Sequence, residues 1–205
     1  MPVDEWQLDI VASGSQKGYM IPPGLSFVAM SQKAWEAAEK SNLPKFYLNL
    51  KSYKKSLLSN SNPYTPAVNL VFALDEALKM MRKEGLDNIF LRHNKHKLAM
   101  SNAVKALNLK LFADEKYLSP SITAIKTEGI DAEEFRKTIK NNFDILLAGG
   151  QDHLKGKIFR VGHLGYVSDR DIITVISAIS NTLLKLGKIT AQQAGEAIVT
   201  ASNYL

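Results

Sequence analysis

The sequence predicts an α/β fold class, in which the end of an α/β domain is followed by a smaller α+β domain. Two apolar runs, at 8–12 and 25–30, have the length and composition of strands. Apolar residues at helical spacing then extend from about 65 to 107. From about Leu109, strand-like and helix-like stretches alternate, which predicts an antiparallel sheet with covering helices. The predicted parts are residues 1–85, a bridging helix at 86–108, and a small domain at 109–205.

Capping residues predict where the helices of the first part begin and end. Ser31 is expected to cap a helix, and a short helix is expected over 49–58. Thr65 is a candidate N-cap with Pro66 in the first helical position, and Gly85 is a natural end for that helix. The bridging helix is expected to direct five side chains inward: Ile89, Phe90, Leu98, Ala99 and Val104.

The last part has signals for three strands and three helices. The expected strands lie at 121–129, 143–150 and 157–165, the last two joined by a short loop. Asp131 and Ser168 are the residue types that cap helices, and Gly187 is expected to end the helix that starts after Ser168. A final helix is expected from Thr190 to the C-terminus.

Composition excludes several classes of protein. The chain has 205 residues and no cysteine, which excludes disulfides, iron–sulfur clusters and cysteine-rich zinc sites. No apolar run reaches the roughly 18 residues that a membrane span needs, so we expect no membrane partner. The N-terminus is acidic and poor in apolar residues, and we therefore expect a cytoplasmic protein without a secretory signal.

The net charge of +6 raises the possibility of a nucleic-acid partner, but the basic residues are scattered. Two local groups fall on helix-like segments and are expected to be solvent-exposed faces, so no nucleic acid is expected. The groups are Lys51, Lys54 and Lys55, and Arg92, Lys95, His96 and Lys97. His93 is expected to be exposed with them, and His163 to be structural. No pair of histidines has convincing metal-ligand spacing, so no metal is expected.

Lys17 is the first candidate site residue. It follows a strand-like run and lies in a loop of small residues, within LDIVASGSQKGYMIPPG at 8–24. A lysine amine forms a Schiff base only when it is unprotonated, and partial burial favours that form. Such a lysine is a candidate anchor for a covalent cofactor, and an ordinary solvated loop lysine is the alternative. Ser13 and Ser15 are expected to form turns rather than to bind ligands.

Arg160 is the second candidate, because it lies between the apolar residues Phe159 and Val161 on a predicted strand. A buried arginine needs an anion, since its charge cannot be removed at accessible pH. A planar guanidinium binds a carboxylate through two parallel hydrogen bonds. The anion is either a substrate carboxylate or an internal acidic side chain.

Three segments, in the same order, resemble the class V aminotransferases of fold type I. They are SGSQKGYMIPPG, NPYTPAVNLVFALDEAL at 62–78 and KIFRVGHLGYVSDRDI at 157–172. The resemblance is strongest to the alanine–glyoxylate and serine–glyoxylate aminotransferase branch, which includes soluble hydrogenase small subunits. It implies pyridoxal 5'-phosphate as cofactor, a large domain with a mainly parallel sheet, and a homodimer.

The resemblance also implies roles for particular residues. Lys17 would form the Schiff base and carry the proton in transamination, and Arg160 would bind the substrate carboxylate. Gln16 and Thr65 would contact the cofactor phosphate, Thr65 across the dimer interface, and Tyr64 would assist. The alternatives are a loop amide that caps backbone groups for Gln16 and a helix cap for Thr65.

The implied reaction moves an amino group from a small amino acid, alanine or serine, to glyoxylate or a similar 2-oxo acid. The match is to the C-terminal half of the family. The family's phosphate loop, its ring-stacking aromatic residue and the aspartate that pairs with the pyridine nitrogen would precede Met1. We therefore expect these residues alone to be poorly active. Phosphoserine or aspartate transamination, a lyase reaction, and a non-catalytic or structural role remain open, as does the donor preference.

Overall fold

The computed structural model describes residues 1–205, which form two compact units, Met1–Met80 and Met81–Leu205. The division into three parts after residues 85 and 108 stays a prediction. No helix of the structure combines the length and the apolar character that crossing a membrane requires.

The first unit contains one hairpin and the helices that follow it. Strand β1 (Ile10–Gly14) pairs antiparallel with β2 (Ser26–Met30), with Ile10 opposite Met30 and Gly14 opposite Ser26. Both strands were predicted, and both leave apolar side chains exposed in this unit. Ile10 is 60% exposed and Val28 is 45% exposed, because no second layer in the unit covers them. The two strands form an antiparallel pair, and the mainly parallel sheet that the resemblance implies is not built from them.

Three helices follow β2: α1 (Gln32–Lys40), α2 (Leu50–Leu57) and α3 (Val68–Glu84), whose last four residues belong to the second unit. The predicted cap at Ser31 is confirmed, since its side chain accepts a hydrogen bond from the Ala34 amide. Asn49 caps α2 in the same way.

Helix α3 begins later than predicted, and Thr65 is not its N-cap. The amide of Val68 bonds to the carbonyl of Pro66 at 3.0 Å, which closes a tight turn before the helix starts. The first bond of helical spacing runs from the Val71 amide to the Ala67 carbonyl. Gly85 ends α3 as expected, with a φ of 86° that favours glycine.

The second unit is an α+β domain with an antiparallel sheet, as predicted, but the sheet has four strands where three were expected. The strands are β3 (Lys110–Leu111), β4 (Ile122–Lys126), β5 (Ala148–Gly149) and β6 (Ile158–Gly162), in the order β3-β4-β6-β5. Its helices are α4 (Leu86–Ala106), α5 (Ala132–Phe143), α6 (Asp169–Lys185) and α7 (Ala191–Ser202). Strand β5 is an edge strand of only two residues.

The two faces of this sheet differ. Thr123, Ile125, Phe159 and Val161 lie on one face and are buried. The rings of Phe135, from α5, and Phe159 are 5.2 Å apart in that core. Alternate residues along β4 and β6 lie on the opposite face. Arg160 is on that second face, and it is only half-buried.

Local signals predicted the helix ends of this unit well. Asp131 accepts hydrogen bonds from the amides of Glu133 and Glu134, Ser168 forms a capping box with Asp171, and Gly187 ends α6 with a φ of 63°. Thr190 forms a second capping box at the start of α7.

The buried face of α4 was predicted less accurately. Phe90 was expected inside and is 57% exposed, whereas His96 was expected outside and is fully buried. Ile89, His96, Ala99, Met100 and Ala103 form the buried stripe. Phe90 is one residue beyond Ile89, a rotation of about 100° around the helix, which turns it away from the core.

Candidate functional site

The loop between β1 and β2 carries Lys17 at its exposed tip. The Lys17 amide bonds to the carbonyl of Gly14 at 3.1 Å, and the Met20 amide bonds to the carbonyl of Lys17 at 3.1 Å. The side chain is exposed and makes no hydrogen bond or ion pair within the chain. The expected partial burial is therefore not provided by these 205 residues, since the hairpin in this unit has no covering layer.

A buried serine holds this loop in shape. Ser15 is 0% exposed, and its hydroxyl donates to the carbonyl oxygen of Pro22 at 2.7 Å and accepts from the amide of Leu25 at 3.1 Å. Its backbone amide also bonds to the carbonyl of Leu25 at 3.0 Å. The interpretation of Ser15 as a turn-forming residue is thus confirmed. The serine fixes the backbone on both sides of Lys17 while the lysine side chain stays free.

Gln16 folds back over the preceding glycine. A Cβ atom added at Gly14 would lie 2.7 Å from Oε1 of Gln16, so a side chain at this position would move the Gln16 amide. Gln16 is exposed, like Lys17 beside it.

Tyr64 and Thr65 lie before α3 and differ in how they are engaged. The Tyr64 hydroxyl donates to the carbonyl of Phe46 at 3.2 Å, and its ring is 4.8 Å from that of Tyr47 and 6.0 Å from that of Tyr53. Thr65 is exposed, makes no side-chain hydrogen bond, and lines a shallow depression formed by residues 60–66. Thr65 is therefore free to bind a ligand, whereas the Tyr64 hydroxyl is already occupied.

The loop that carries Lys17 and the start of α3 pack together. A Cβ atom at Gly24 would lie 2.5 Å from Cδ1 of Leu70, and Gly24 has a φ of 142°. The structure thus brings the C-terminal end of the lysine loop against the helix that follows Thr65. Arg160 belongs to the second unit.

Arg160 is held by one of its nitrogens and is free at the other two. Its Nε donates to the carbonyl oxygen of Gly149 at 2.9 Å. Nη1 and Nη2 have no hydrogen-bond partner, and no acidic side chain forms an ion pair with the guanidinium. The alternative of an internal salt bridge therefore finds no partner in this chain, and the two free nitrogens are available to an external carboxylate.

Sequence reasoning missed a cluster that holds the loop after β6. Arg92 forms two bonds to the Glu84 carboxylate, 2.6 Å from Nε to Oε1 and 3.0 Å from Nη2 to Oε2. Its Nη1 donates to the carbonyls of Gly165 at 2.8 Å and Val167 at 3.2 Å. Arg92 also lowers the pKa of Glu84. Gly165 and Val167 are more than 70 residues from Arg92, so no local pattern could have revealed these two contacts.

His93 completes this cluster from the same helix. Its Nε2 accepts the amide hydrogen of Gly165 at 3.2 Å, and its Nδ1 donates to the carbonyl of Ile89 at 2.8 Å. Both polar backbone groups of Gly165 are therefore bonded to α4. The interpretation of His93 as an exposed surface residue is wrong, because its ring is half-buried against this loop.

Two further histidines, His96 and His163, are buried, and the structural role expected for His163 stays a prediction. His163 is 0% exposed, and burial lowers its pKa to about 4. Burial also lowers the pKa of His96, whose Nε2 lies 2.9 Å from Oδ1 of Asp169. No group of three or more histidine, cysteine, aspartate or glutamate side chains is arranged to hold a metal ion.

Comparison with known proteins identifies the family. Residues 1–165 match the family model described as "Aminotransferase class-V". The chain is 54% identical over 205 residues to the small subunit of a soluble hydrogenase from Synechococcus sp. (strain PCC 6716), covering 100% of this chain and 53% of that protein. It is 35% identical over 210 residues to serine–glyoxylate aminotransferase from Methylorubrum extorquens (strain ATCC 14718 / DSM 1338 / JCM 2805 / NCIMB 9133 / AM1), covering 98% of this chain and 52% of the enzyme.

A solved structure agrees with the sequence relatives. Ureidoglycine–glyoxylate aminotransferase from Bacillus subtilis superposes with a TM-score of 0.89 at 28% identity, covering 98% of this chain and 54% of that one. The chain thus spans about half the length of the relatives it matches. The resemblance predicted from three motifs is confirmed, and the chain belongs to the class V aminotransferase family.

Proposed function

We propose that this chain is the lysine- and arginine-bearing portion of a pyridoxal-phosphate aminotransferase. The reaction would move an amino group from alanine or serine to glyoxylate or a similar 2-oxo acid. The observation that carries the proposal is Arg160, whose guanidinium is half-buried, oriented through Nε and unpaired at both terminal nitrogens. The names of the relatives, a serine–glyoxylate and a ureidoglycine–glyoxylate aminotransferase, support glyoxylate as the acceptor.

The residues of the first unit fit the cofactor in chemical terms. Lys17 offers an amine that no other side chain engages, on a loop that Ser15 holds in place. Thr65 offers an unpartnered hydroxyl, and Gln16 offers an exposed amide, both suited to a phosphate. Tyr64 fits less well, because its hydroxyl already bonds to Phe46. When bound, pyridoxal phosphate supplies an electron sink for the carbanion that forms at Cα of the amino acid.

The chain's own residues would divide the work between anchoring and positioning. The Lys17 amine would hold the cofactor's aldehyde carbon, and once released it would carry the proton away from Cα of the donor. Arg160 would bind the carboxylate shared by all donors and acceptors through Nη1 and Nη2. Because the carboxylate is bonded directly to Cα, fixing it also fixes the carbon that loses its proton.

We also propose a homodimer as the active assembly. Several large apolar side chains of the first unit are exposed and would be covered by an interface: Leu43, Phe46, Leu48, Leu57, Leu58 and Phe72. Such a set of exposed apolar residues is more typical of an interaction surface than of a free one. The molar mass in solution, measured by light scattering, tests this assembly.

The test of the proposed function is a labelling and turnover experiment. Residues 1–205 are produced alone and together with the first half of the Synechococcus relative, incubated with pyridoxal phosphate and reduced with borohydride. We expect the label on Lys17, with turnover of alanine or serine and glyoxylate mainly in the combined form. Lys17→Ala should abolish both the label and the turnover.

Arg160→Ala should raise KM for alanine, serine and glyoxylate together, and Arg160→Lys should rescue it poorly because lysine lacks the planar fork. Lys137→Ala, an exposed change on α5, is the control that should leave both constants unchanged. A label on another lysine, with Lys17 unmodified, would refute the assignment. Absence of label and turnover in both forms would favour a structural role.

A further inference from the structure

Arg160 depends on one of the two shortest strands of the molecule for its orientation. Its Nε bond ends on the carbonyl of Gly149, and Gly149 is one of only two residues in β5. Strand β5 pairs with β6 alone, because it lies at the edge of the sheet. A two-residue edge strand has few ladder bonds to hold it, so its position must be stabilised from elsewhere.

Arg136 supplies that support from helix α5. Its Nε donates to the carbonyl oxygen of Leu147 at 2.8 Å, immediately before β5 begins. Its Nη1 is bonded to Oε2 of Glu133 at 2.8 Å, one helical turn away, which keeps the guanidinium in place. The Arg136 side chain is only 23% exposed, so this hydrogen bond is partly shielded from water.

The backbone of β5 lies directly against this ion pair. A Cβ atom at Gly149 would lie 2.5 Å from Nη1 of Arg136 and 2.7 Å from Oε1 of Glu133. Any side chain at this position would have to displace the pair. The contact is therefore close only because residue 149 is a glycine.

We propose that Arg136 is a positioning residue for Arg160, acting through Leu147 and Gly149. The path consists of the hydrogen bond that Arg136 donates to the Leu147 carbonyl, two peptide units, and the hydrogen bond that Arg160 donates to the Gly149 carbonyl. Arg136 does not touch the substrate in this scheme. It keeps the Gly149 carbonyl where it can accept the Nε–H of Arg160, so that Nη1 and Nη2 point in one direction.

This role rests on the proposed function, since it is meaningful only if Arg160 binds a carboxylate. Without Arg136, β5 would keep its pairing to β6 but lose its outer anchor, and Gly149 would move more freely. Arg160 would then sample several rotamers, and each binding event would have to select the productive one. We therefore expect weaker binding of the carboxylate, and an unchanged rate of the chemical step once the substrate is bound.

The experiment compares KM and kcat of Arg136→Ala, Arg136→Lys and Gly149→Ala in the form of the protein in which Arg160→Ala raises KM. Arg136→Ala should raise KM for every carboxylate substrate about tenfold, with kcat little changed, since one charged hydrogen bond is lost. Gly149→Ala should also raise KM for these substrates. Arg136→Lys should rescue part of the loss, because a lysine can still donate to Leu147. Lys137→Ala on the same helix is the matched control.

Deuterium exchange supplies a readout that does not depend on turnover. In Arg136→Ala, the amide of Gly150, which bonds to the carbonyl of Ile158, should exchange faster than in the unchanged chain. Amides that join β4 to β6 should keep their protection. Faster exchange with an unchanged KM would show a purely structural role and overturn the proposal.

The outcomes separate this inference from the function on which it rests. An increase in KM for Arg160→Ala, with none for Arg136→Ala, would overturn the positioning role alone. An Arg160→Ala variant with unchanged KM would overturn the carboxylate site, and the positioning role with it. A drop in kcat rather than an increase in KM for Arg136→Ala would also contradict the proposal.

Discussion

Thr123 and His163 face each other across strands β4 and β6, with Oγ1 and Nε2 2.9 Å apart in the buried face of the sheet. Nδ1 of His163 donates to the carbonyl of Pro120 at 3.0 Å, because a carbonyl oxygen can only accept. Nε2 is therefore the unprotonated nitrogen of a neutral ring, and it accepts the Thr123 hydroxyl. The neutral form of the histidine is the one that this core accommodates.

The first prediction is a loss of stability in mild acid. Burial lowers the pKa of His163 from 6.5 to about 4, so the folded state resists a proton that the unfolded chain accepts. His163 therefore contributes stability that is complete above pH 6.5 and is lost as the pH falls towards about 4. The contribution is about 3 kcal/mol in the unfolding free energy. Urea unfolding at a series of pH values measures it.

His163→Gln should remove much of this dependence, although it lowers stability at neutral pH. His153→Gln, an exposed change in a loop, should leave the curve unaltered. His96 acts in the same direction, because burial lowers its pKa as well. Acidic groups with lowered pKa values lose their contribution only below their ordinary pKa, which is 3.8 for Asp171 and 4.5 for Glu84, so the change between pH 7 and 5 is assigned to the histidines. An unfolding free energy that is constant from pH 7 to 5 would contradict the assignment.

The second prediction concerns the anchor of the lysine loop. Ser15→Ala leaves the Leu25 amide without its side-chain acceptor and the Pro22 carbonyl without its donor. The cost should be about 1–3 kcal/mol, because these groups are shielded from water. Borohydride labelling of Lys17 should slow, since the loop no longer presents the amine in one position. Ser13→Ala is the control, as the Ser13 hydroxyl makes no hydrogen bond, and equal effects of the two changes would argue against the anchor.

The third prediction distinguishes two glycines near Arg160. A Cβ atom at Gly150 would lie 2.1 Å from the carbonyl oxygen of Leu154, a backbone atom that cannot rotate away. Gly150→Ala should therefore lower the unfolding free energy by about 3 kcal/mol or more. Gly162→Ala meets nothing within 4 Å and should be tolerated. Thermal unfolding of both variants tests the difference, and similar melting temperatures would show that the Leu154 turn yields easily.

The fourth prediction compares two ion pairs of the second unit. The Arg92–Glu84 side chains are 20% and 29% exposed, and those of Lys110–Glu128 are 67% and 62% exposed. A double-mutant cycle should give a coupling of about 1.5–3 kcal/mol for the shielded, two-bond pair. The exposed pair should give a clearly smaller coupling, because solvent screens it. High salt should reduce the coupling of the exposed pair more than that of the shielded pair. Couplings of equal size would contradict the role of shielding.

Features with a local cause were predictable from the sequence. Asp131, Ser168 and Gly187 mark helix ends because a cap or a left-handed residue acts within one turn of chain. Thr65 does not cap α3, because the Val68 amide bonds to the Pro66 carbonyl and forms a tight turn before the helix. Composition alone does not reveal this turn. Phe90 and His96 were assigned to the wrong faces of α4, because a small error in the rotation of the helix turns a buried position into an exposed one.

The candidate site also contains residues that the sequence predicted and residues that it did not. Lys17 and Arg160 stand within short, recognisable motifs, and family resemblance was enough to select them. The arginines that fix the backbone around the second unit's sheet could not be found so easily, because Arg136 reaches Leu147 and Arg92 reaches Gly165 only after the chain has folded. Their types and spacing are those of ordinary surface charges. Contacts between distant residues decide that they are partly buried instead.

The arrangement around Ser15 has a consequence for how the protein matures. The loop owes its shape to a serine and to backbone bonds, and the lysine side chain contributes nothing to it. Under the proposed function, cofactor attachment and chain folding would be independent events, because the Lys17 amine is presented whether or not an aldehyde is bound. A variant without Lys17 should therefore still fold normally, although it lacks the residue proposed to hold the cofactor.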